Sequence, residues 1–194
     1  MKTDIKDIDI YPEPNHKDLI PFLLRWEGGE VNDPNDKGGH TNKGVTYGTY
    51  EQLCKGIYGV NPSKAHFISL TDNEVGLIVK HFWDKSTNNN QIRCQKVAEA
   101  ITTWRWGSGT QGLMWFQMML NQSFSGKLSI DGVIGKGTID LINSQNQDLL
   151  FKSALEYRAE RFNLICKFNT SQEIYLRGWL NRLTDFGKRW NETI

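Results

Sequence analysis

The sequence predicts an α+β fold that is predominantly helical, with a small β-hairpin region beside the first helix. Apolar residues recur at helical spacing through most of the chain after residue 18. Residues 30–48, by contrast, are rich in Asn, Asp, Gly and Thr, which is typical of turns and short strands. A chain of 194 residues is long enough for one good core, or for a main lobe with a smaller companion.

The first predicted helix covers residues 18–26. Pro21 is acceptable in its first turn, and the pair Gly28-Gly29 ends it, as glycines commonly do at the C-terminus of a helix. The polar stretch that follows holds few apolar anchors, and it is predicted to form turns and short hairpin strands. The helix places its apolar side chains at helical spacing: Leu19, Ile20, Phe22, Leu23 and Trp26.

A later helix is predicted to begin at Thr71, because Thr71 and Glu74 match the capping-box pattern. Two further helices, over residues 97–106 and 113–120, are predicted on either side of a break at the sequence Gly-Ser-Gly.

The C-terminal part of the chain is predicted to be helical as well. An Asp-Gly turn at Asp131 leads into a short helix over residues 139–142, with Thr138 as its N-cap. Two longer helices, over residues 148–167 and 172–190, follow, so the total is about seven helices.

Composition excludes several classes of function. With a net charge of +1, the chain lacks the electrostatic footprint of a nucleic-acid-binding protein. Its three cysteines are widely spaced and include no CxxC pair, which argues against a disulfide framework and a zinc site. The four histidines show no metal-ligand spacing and there is no phosphate loop, so neither a metal nor a cofactor is expected. We expect no membrane insertion and no secretory signal peptide, since no apolar window of the required length occurs.

Glu27 is the candidate catalytic acid. It ends an apolar helix beside Trp26 and precedes two glycines. Burial beside an indole disfavours the charged carboxylate, and the negative end of the helix dipole adds a smaller penalty. A carboxyl that stays protonated near neutral pH is what a general acid needs to protonate a glycosidic oxygen. The alternative is a solvated glutamate at a helix end.

A second candidate catalytic carboxylate, Asp36, lies nine residues after Glu27, and Asp33 competes for the same role. Either carboxylate can orient or deprotonate an attacking water, or stabilise an oxocarbenium-like transition state. The alternative interpretation is that both are ordinary turn residues. The candidates for contacts with a glycan substrate are Trp26, Asp33, Thr41, Tyr47 and Trp104.

The run E-G-G-E-V-N-D-P-N-D-K-G-G-H-T-N-K-G-V-T, residues 27–46, closely resembles the opening motif of glycoside hydrolase family 108. This family is the N-acetylmuramidase group of the lysozyme superfamily. In it the Glu of E-G-G is taken as the catalytic acid, and the resemblance gives that role to Glu27. It also implies a lysozyme-like fold. The order Glu, Asp, Thr looks like that of phage-type lysozymes, although Asp36 and Thr41 are one residue closer together than in the phage pattern.

The segment W-R-W-G-S-G, residues 104–109, resembles the family's D-W-x-W-x-S-G segment with two departures. Thr103 stands where the family has Asp, and Gly107 stands where many members have Asn. If that Asp helps to hold the substrate, catalysis here is expected to be weaker or tuned to another glycan. Arg158, which also fits the family pattern, is a candidate for pairing with a carboxylate in the core.

Phe116-Gln117 and the stretch D-G-V-I-G-K-G-T, residues 131–138, resemble a predicted peptidoglycan-binding module. We therefore divide the chain into a polar lead-in over residues 1–17, a catalytic region over residues 18–110 and a peptidoglycan-binding-like region over residues 111–194. The last two are expected to pack into one lysozyme-like unit.

Three functions are compatible with these features. The first is a muramidase that hydrolyses the β-1,4 bond between N-acetylmuramic acid and N-acetylglucosamine. The second is a lytic transglycosylase, and the third is a non-catalytic peptidoglycan-binding or phage structural protein. Peptidoglycan strands are the expected partner. Without a signal peptide, the protein would be made in the cytoplasm and reach the cell wall through a holin or another export route, as a prophage endolysin does.

Overall fold

The computed structural model of the chain describes residues 13–28 and 39–193. The described residues form eight α-helices and one two-stranded antiparallel sheet, which confirms the predicted helix-rich α+β class. The strands are β1 (Thr41–Asn42) and β2 (Val45–Thr46). The helices are α1 (Ile20–Trp26), α2 (Tyr47–Tyr58), α3 (Lys64–Ile68), α4 (Asp72–His81), α5 (Gln95–Ser123), α6 (Lys136–Ser144), α7 (Gln147–Phe168) and α8 (Glu173–Lys188).

Helix α1 follows a 3-10 turn, His16–Asp18, and carries Pro21 near its start. Proline is tolerated there because the first N–H groups of a helix have no partner within it. Phe22 and Leu23 on the inner face are buried. The helix is only seven residues long, so its stability comes from this burial rather than from helix propensity.

The β1–β2 hairpin pairs Thr41 with Thr46 and Asn42 with Val45. Asn42 is buried and donates its amide to the carbonyl oxygen of Phe67, 2.7 Å away, which fastens the hairpin to α3. Thr46 then caps α2 by accepting from the backbone N–H of Thr49. The sequence patterns did not predict α2.

Helix α4 begins with the predicted capping box. The Thr71 hydroxyl accepts from the Glu74 backbone N–H, and the Glu74 carboxylate accepts from the Thr71 backbone N–H at 2.8 Å. The helix continues into one π-helical turn, Phe82–Ser86.

Helix α5 replaces the two helices predicted over residues 97–106 and 113–120. The chain stays helical through Gly107 and Ser108, and it kinks at Gly109, which has φ 59° and ψ −147°. This backbone conformation is essentially restricted to glycine, so the Gly-Ser-Gly sequence bends the helix without ending it.

The predicted N-cap at Thr138 is wrong. Gly135 is the N-cap of α6, and Thr138 lies in the first turn of the helix with 5% of its surface exposed. The Asp-Gly turn before it is held by Gln117, whose side-chain oxygen accepts from the backbone N–H groups of Asp131 and Gly132. The turn therefore has an architectural role.

Two clusters of buried apolar side chains stabilise the fold. The larger joins α1 to helices α5–α8; Phe22 and Phe186, for example, pack with ring centroids 5.2 Å apart. The smaller lies among the hairpin and helices α2–α4. The three cysteines are buried and unpaired: Cys54, Cys94 and Cys166. Within residues 13–28 and 39–193, no helix has the length and apolar character needed to cross a membrane.

Candidate active site

Glu27 lies at the point where the chain leaves α1. Its backbone N–H still donates to the Leu23 carbonyl, but its φ of −90° and ψ of 125° are extended. This change of direction turns the side chain away from the helix stripe that packs into the core. The Glu27 side chain remains 16% exposed, so it is sheltered yet open to solvent.

Two donors from distant helices hold one oxygen of the Glu27 carboxyl. The indole Nε1 of Trp106, on α5, donates to Oε1 at 3.0 Å, and Nη1 of Arg182, on α8, donates to the same oxygen at 2.6 Å. Among the described residues, none donates to Oε2. One oxygen is thus fixed by the protein, and the other is left for a different partner.

The hairpin turn lies directly against this carboxyl group. Lys43 and Gly44 have φ values of 47° and 78°, the pattern of a two-residue type I′ turn. A Cβ atom on Gly44 would lie 2.3 Å from Cδ and 2.6 Å from Oε2 of Glu27. The absence of a side chain at position 44 is what allows the hairpin to approach Glu27.

Two cavities lie beside the partners of Glu27, which itself lines neither of them. The hairpin cavity, ≈ 290 Å³, is lined by residues 44–46 of the hairpin, by Phe82 and by residues 105–109 of α5. The arginine cavity, ≈ 350 Å³, is lined mainly by Gly107, Ser108, Trp115, Arg158, Trp179 and Arg182. They share Gly107 and Ser108, and Glu27 contacts one lining residue of each, Trp106 and Arg182. An extended polymer lying through both cavities would pass this carboxyl group.

The structure gives Trp26 a different neighbour from the one expected. Its indole Nε1 donates to Oδ2 of Asp185 at 2.5 Å, and Arg25 forms an ion pair with the same carboxylate. The indole that contacts Glu27 is that of Trp106. The polar edge of Trp26 is therefore engaged with α8.

The other predicted contact residues are distributed as follows. Thr41 pairs with Thr46 in the hairpin, and its hydroxyl donates to the Gly39 carbonyl at 3.3 Å. Tyr47 packs edge-on against Phe67, with ring centroids 5.2 Å apart. Neither lines the hairpin cavity or the arginine cavity. Asp33 and Asp36 lie outside the described residues, so their roles remain predictions.

Trp104 is a core residue, and its predicted contact with the glycan is wrong. Only 1% of its surface is exposed, and its ring packs between Phe116 and Tyr157 at centroid distances of 5.6 and 6.3 Å. Two positions along an α-helix are separated by about 200° around its axis. Trp104 and Trp106 therefore face opposite sides of α5, and only Trp106 faces Glu27.

Thr103 and Gly107 both contact Arg158. The Thr103 hydroxyl accepts from Nη1 of Arg158 at 2.8 Å, and the Thr103 carbonyl accepts from Nη2 at 2.9 Å. A Cβ atom on Gly107 would lie 2.8 Å from Nη2. Burial, with a smaller contribution from the charge of Arg182, lowers the pKa of Arg158 to about 9. The core carboxylate anticipated for Arg158 is not found among the described residues.

No side chains in the described ranges form a cluster of three or more His, Cys, Asp or Glu residues able to hold a metal ion. The chemistry that this site offers is that of a carboxyl group supported by an indole and a guanidinium. Such a group can donate or accept a proton, or stabilise positive charge in a bound molecule.

Comparison with known proteins identifies the family. Residues 20–109 match Glycosyl hydrolase 108, and residues 111–184 match the Predicted Peptidoglycan domain. Residues 20–109 are thus a glycosyl hydrolase 108 region, and a predicted peptidoglycan domain follows it. This hydrolase also resembles the solved structure of Brucella abortus SagA, with a TM-score of 0.68 and 23% sequence identity over 90% of this chain and 92% of that one. No protein of curated function matches the sequence significantly.

These comparisons confirm the family resemblance and the lysozyme-like α+β fold. The first match implies glycoside hydrolase activity, and the second supports peptidoglycan as the partner. The boundary between the two matched regions falls within α5, beside the kink at Gly109.

The partners of Glu27 were missed at the level of sequence. Trp106 could have been found, because W-x-W places two indoles on opposite faces of one helix and only one can face the site. Arg182 could not, since it lies 155 residues from Glu27 and no local pattern marks it. Gly44 stood within the family motif, but its contact with Glu27 depends on the fold.

Proposed function

We propose that this hydrolase cleaves the β-1,4 bond between N-acetylmuramic acid and N-acetylglucosamine in peptidoglycan, with Glu27 as the general acid. The observation that supports this most directly is that Glu27 contacts one lining residue of each of two neighbouring cavities, with one carboxyl oxygen held and the other without a described donor. A glycan strand through both cavities would bring a glycosidic oxygen to the carboxyl.

The two oxygens of Glu27 have different parts in this mechanism. Oε1 stays hydrogen-bonded to Trp106 and Arg182, which fixes the orientation of the carboxyl plane. Oε2, on the Gly44 side, carries the proton that passes to the leaving oxygen. Once the proton has left, the Arg182 guanidinium stabilises the negative charge that develops on the carboxylate.

The second carboxylate in this proposal is Asp36, with Asp33 as the alternative. Either one would activate water or stabilise the oxocarbenium-like transition state on the other face of the sugar. Replacing each by Asn in turn shows which of the two is required. Loss of the required carboxylate should lower kcat by a factor of about 100 or more, whereas loss of the other should not.

The decisive experiment is digestion of purified peptidoglycan by wild type and by Glu27→Gln, with the products identified by mass spectrometry. For wild type, we expect muramic acid at the new reducing ends. For the variant, we expect the cleavage rate to fall by a factor of about 100 or more. Glutamine keeps an oxygen that accepts from Trp106 and Arg182, but its amide protons are not acidic enough to transfer to the leaving oxygen. Glu51→Gln, an exposed change on α2, is the matched control and should cleave like wild type.

Each alternative product has a distinct meaning. Anhydromuramic ends would show that the protein is a lytic transglycosylase and not a hydrolase. N-acetylglucosamine at the new reducing ends would show that the protein cleaves the other β-1,4 linkage, the one that follows N-acetylglucosamine in the strand. Binding without any cleavage by wild type would refute the catalytic proposal.

A further inference from the structure

Arg158 on α7 is a sheltered guanidinium that no described carboxylate neutralises. Within the described residues, its side chain donates hydrogen bonds to the hydroxyl and the carbonyl of Thr103, both of them uncharged. Arg182 and Arg189, by comparison, contact the carboxylates of Glu27 and Glu99. A cation that is removed from water without a counter-ion destabilises the protein, and an anion that reaches it recovers part of that energy.

The residue at position 103 determines whether Arg158 has a counter-ion within the protein. An Asp at position 103 would give the guanidinium a counter-ion within the protein. Thr103 supplies hydrogen-bond acceptors for Arg158 without a negative charge. The positive charge is therefore left facing the arginine cavity, of which Arg158 is a lining residue.

A row of aromatic rings lies to one side of that charge. The Phe162 ring lies under the Arg158 guanidinium at 5.5 Å, and Trp179 packs against Phe162 with centroids 5.2 Å apart. Tyr175 stacks on Trp179 at 6.0 Å and reaches the surface, where it is 43% exposed. Such faces suit pyranose rings and small apolar groups. The cavity thus offers stacking surfaces together with a positive charge at one place.

We propose that the arginine cavity binds a muramic acid unit through a carboxylate that pairs with Arg158. This assignment rests on the proposed function and names the feature of the substrate that the cavity selects. The carboxylate has two possible sources in peptidoglycan. It is the lactyl carboxylate where the peptide has been removed, and a carboxylate of the stem peptide where the peptide is present.

The test uses three non-hydrolysable disaccharide probes with the full chain in isothermal titration calorimetry. All are N-acetylglucosaminyl-N-acetylmuramic acid: one with a free lactyl carboxylate, one with that group as its neutral methylamide, and one extended by L-alanyl-D-glutamate. We expect at least one acidic probe to bind about tenfold or more tightly than the methylamide, since a charge-assisted hydrogen bond contributes about 1.5–3 kcal/mol. Which acidic probe is preferred identifies the source of the carboxylate.

Thr103→Asp provides an internal counter-ion while keeping acceptors for Arg158, so it should remove most of the preference for acidic probes. Thr103→Asn is the matched neutral change. If charge rather than shape is responsible, the preference of this variant for acidic probes over the methylamide should stay at least about fivefold greater than that of Thr103→Asp. Arg158→Gln, if it folds, should behave like Thr103→Asp. Equal affinity for all three probes, no binding of any, or equal effects of Asp and Asn would overturn the assignment.

Digestion of peptidoglycan by the same protein reports separately on the proposed function. Cleavage without a preference for acidic probes overturns only the role of Arg158. A preference for acidic probes without cleavage overturns only the proposed reaction and leaves the carboxylate site in place.

Discussion

At the scale of single residues, the position of Glu27 depends on the lack of a side chain at Gly44. The hairpin turn reaches the carboxyl only because Gly44 has no Cβ, and the φ of 78° at this position already disfavours any other residue. The side chain of Glu27 is thus confined by backbone on one side and by two hydrogen-bond donors on the other.

Gly44→Ala should displace the Glu27 carboxyl and strain the turn. We expect kcat on peptidoglycan to fall about tenfold or more, since small displacements of a reacting group are costly, and stability to fall by about 1–2 kcal/mol from the left-handed backbone alone. Kinetics and thermal unfolding measure the two effects separately.

Gly59→Ala is the control for this change. Gly59 has a φ of 72°, but a Cβ atom there would meet nothing within 4 Å. It should lose similar stability and keep its activity. An equal loss of kcat in both variants would show that the contact with Glu27 is unimportant.

The sequence predicts Glu27 as the candidate acid, but it does not predict the residues that surround Glu27. Glu27 could be predicted because its flanking residues, a helix before it and two glycines after it, are local features. Trp106 and Arg182 reach it from 79 and 155 residues away, and such contacts exist only once the core has formed. Trp104 was misplaced because periodicity within a long helix shows which residues share a face without showing which face meets the substrate.

At the scale of elements, the start of α4 is tied to α3 by one carboxylate. Glu74 completes the capping box with Thr71 and also bonds to Nε2 of His66 at 2.7 Å. The hydrogen bond with His66, followed by those with Thr71, lowers the pKa of Glu74 from 4.5 to about 2. The ionised carboxylate therefore stabilises the folded state.

Because the pKa of Glu74 is lowered in the folded state, the protein should lose stability as the pH falls. The stabilisation is fully present above the ordinary pKa of 4.5 and disappears as the pH falls towards 2. The melting temperature of wild type should exceed that of Glu74→Gln at pH 6, and the difference should shrink through this range. Glu51→Gln serves as the control. A difference that stays constant from pH 6 to pH 2 would contradict the assignment.

Elements with strong local signals were predicted well, and those formed by tertiary contacts were not. The capping box located the start of α4, whereas α2 contains two glycines and weak helix formers. Its helix forms because Tyr50 and Cys54, four residues apart, are both buried and Thr46 caps it. The break expected at residues 107–109 became a kink because packing continues on both sides of it.

At the scale of the whole molecule, the larger apolar cluster draws on both matched regions. It contains Phe22 and Leu23 from α1 together with Phe151 from α7 and Leu183 from α8. Side chains from the two regions therefore bury one another, and neither region keeps its share of the core when separated.

We expect the full chain to unfold in one calorimetric transition, with equal calorimetric and van't Hoff enthalpies. Residues 1–110 alone should show no cooperative transition, because the cut leaves the apolar face of α1 and the first part of α5 exposed to water. Two resolved transitions in the full chain, or cooperative unfolding of the fragment, would show that the regions fold independently.

The ion pair between Glu27 and Arg182 has a consequence for how such proteins can diversify. The acid belongs to the first matched region and its guanidinium partner to the second. Recombination that exchanged the C-terminal region for another would therefore change the surroundings of the Glu27 carboxyl as well as the peptidoglycan-binding-like region itself. Only a donated region with an arginine at the matching place on its last helix would preserve this ion pair, so the contact favours joint inheritance of the two regions.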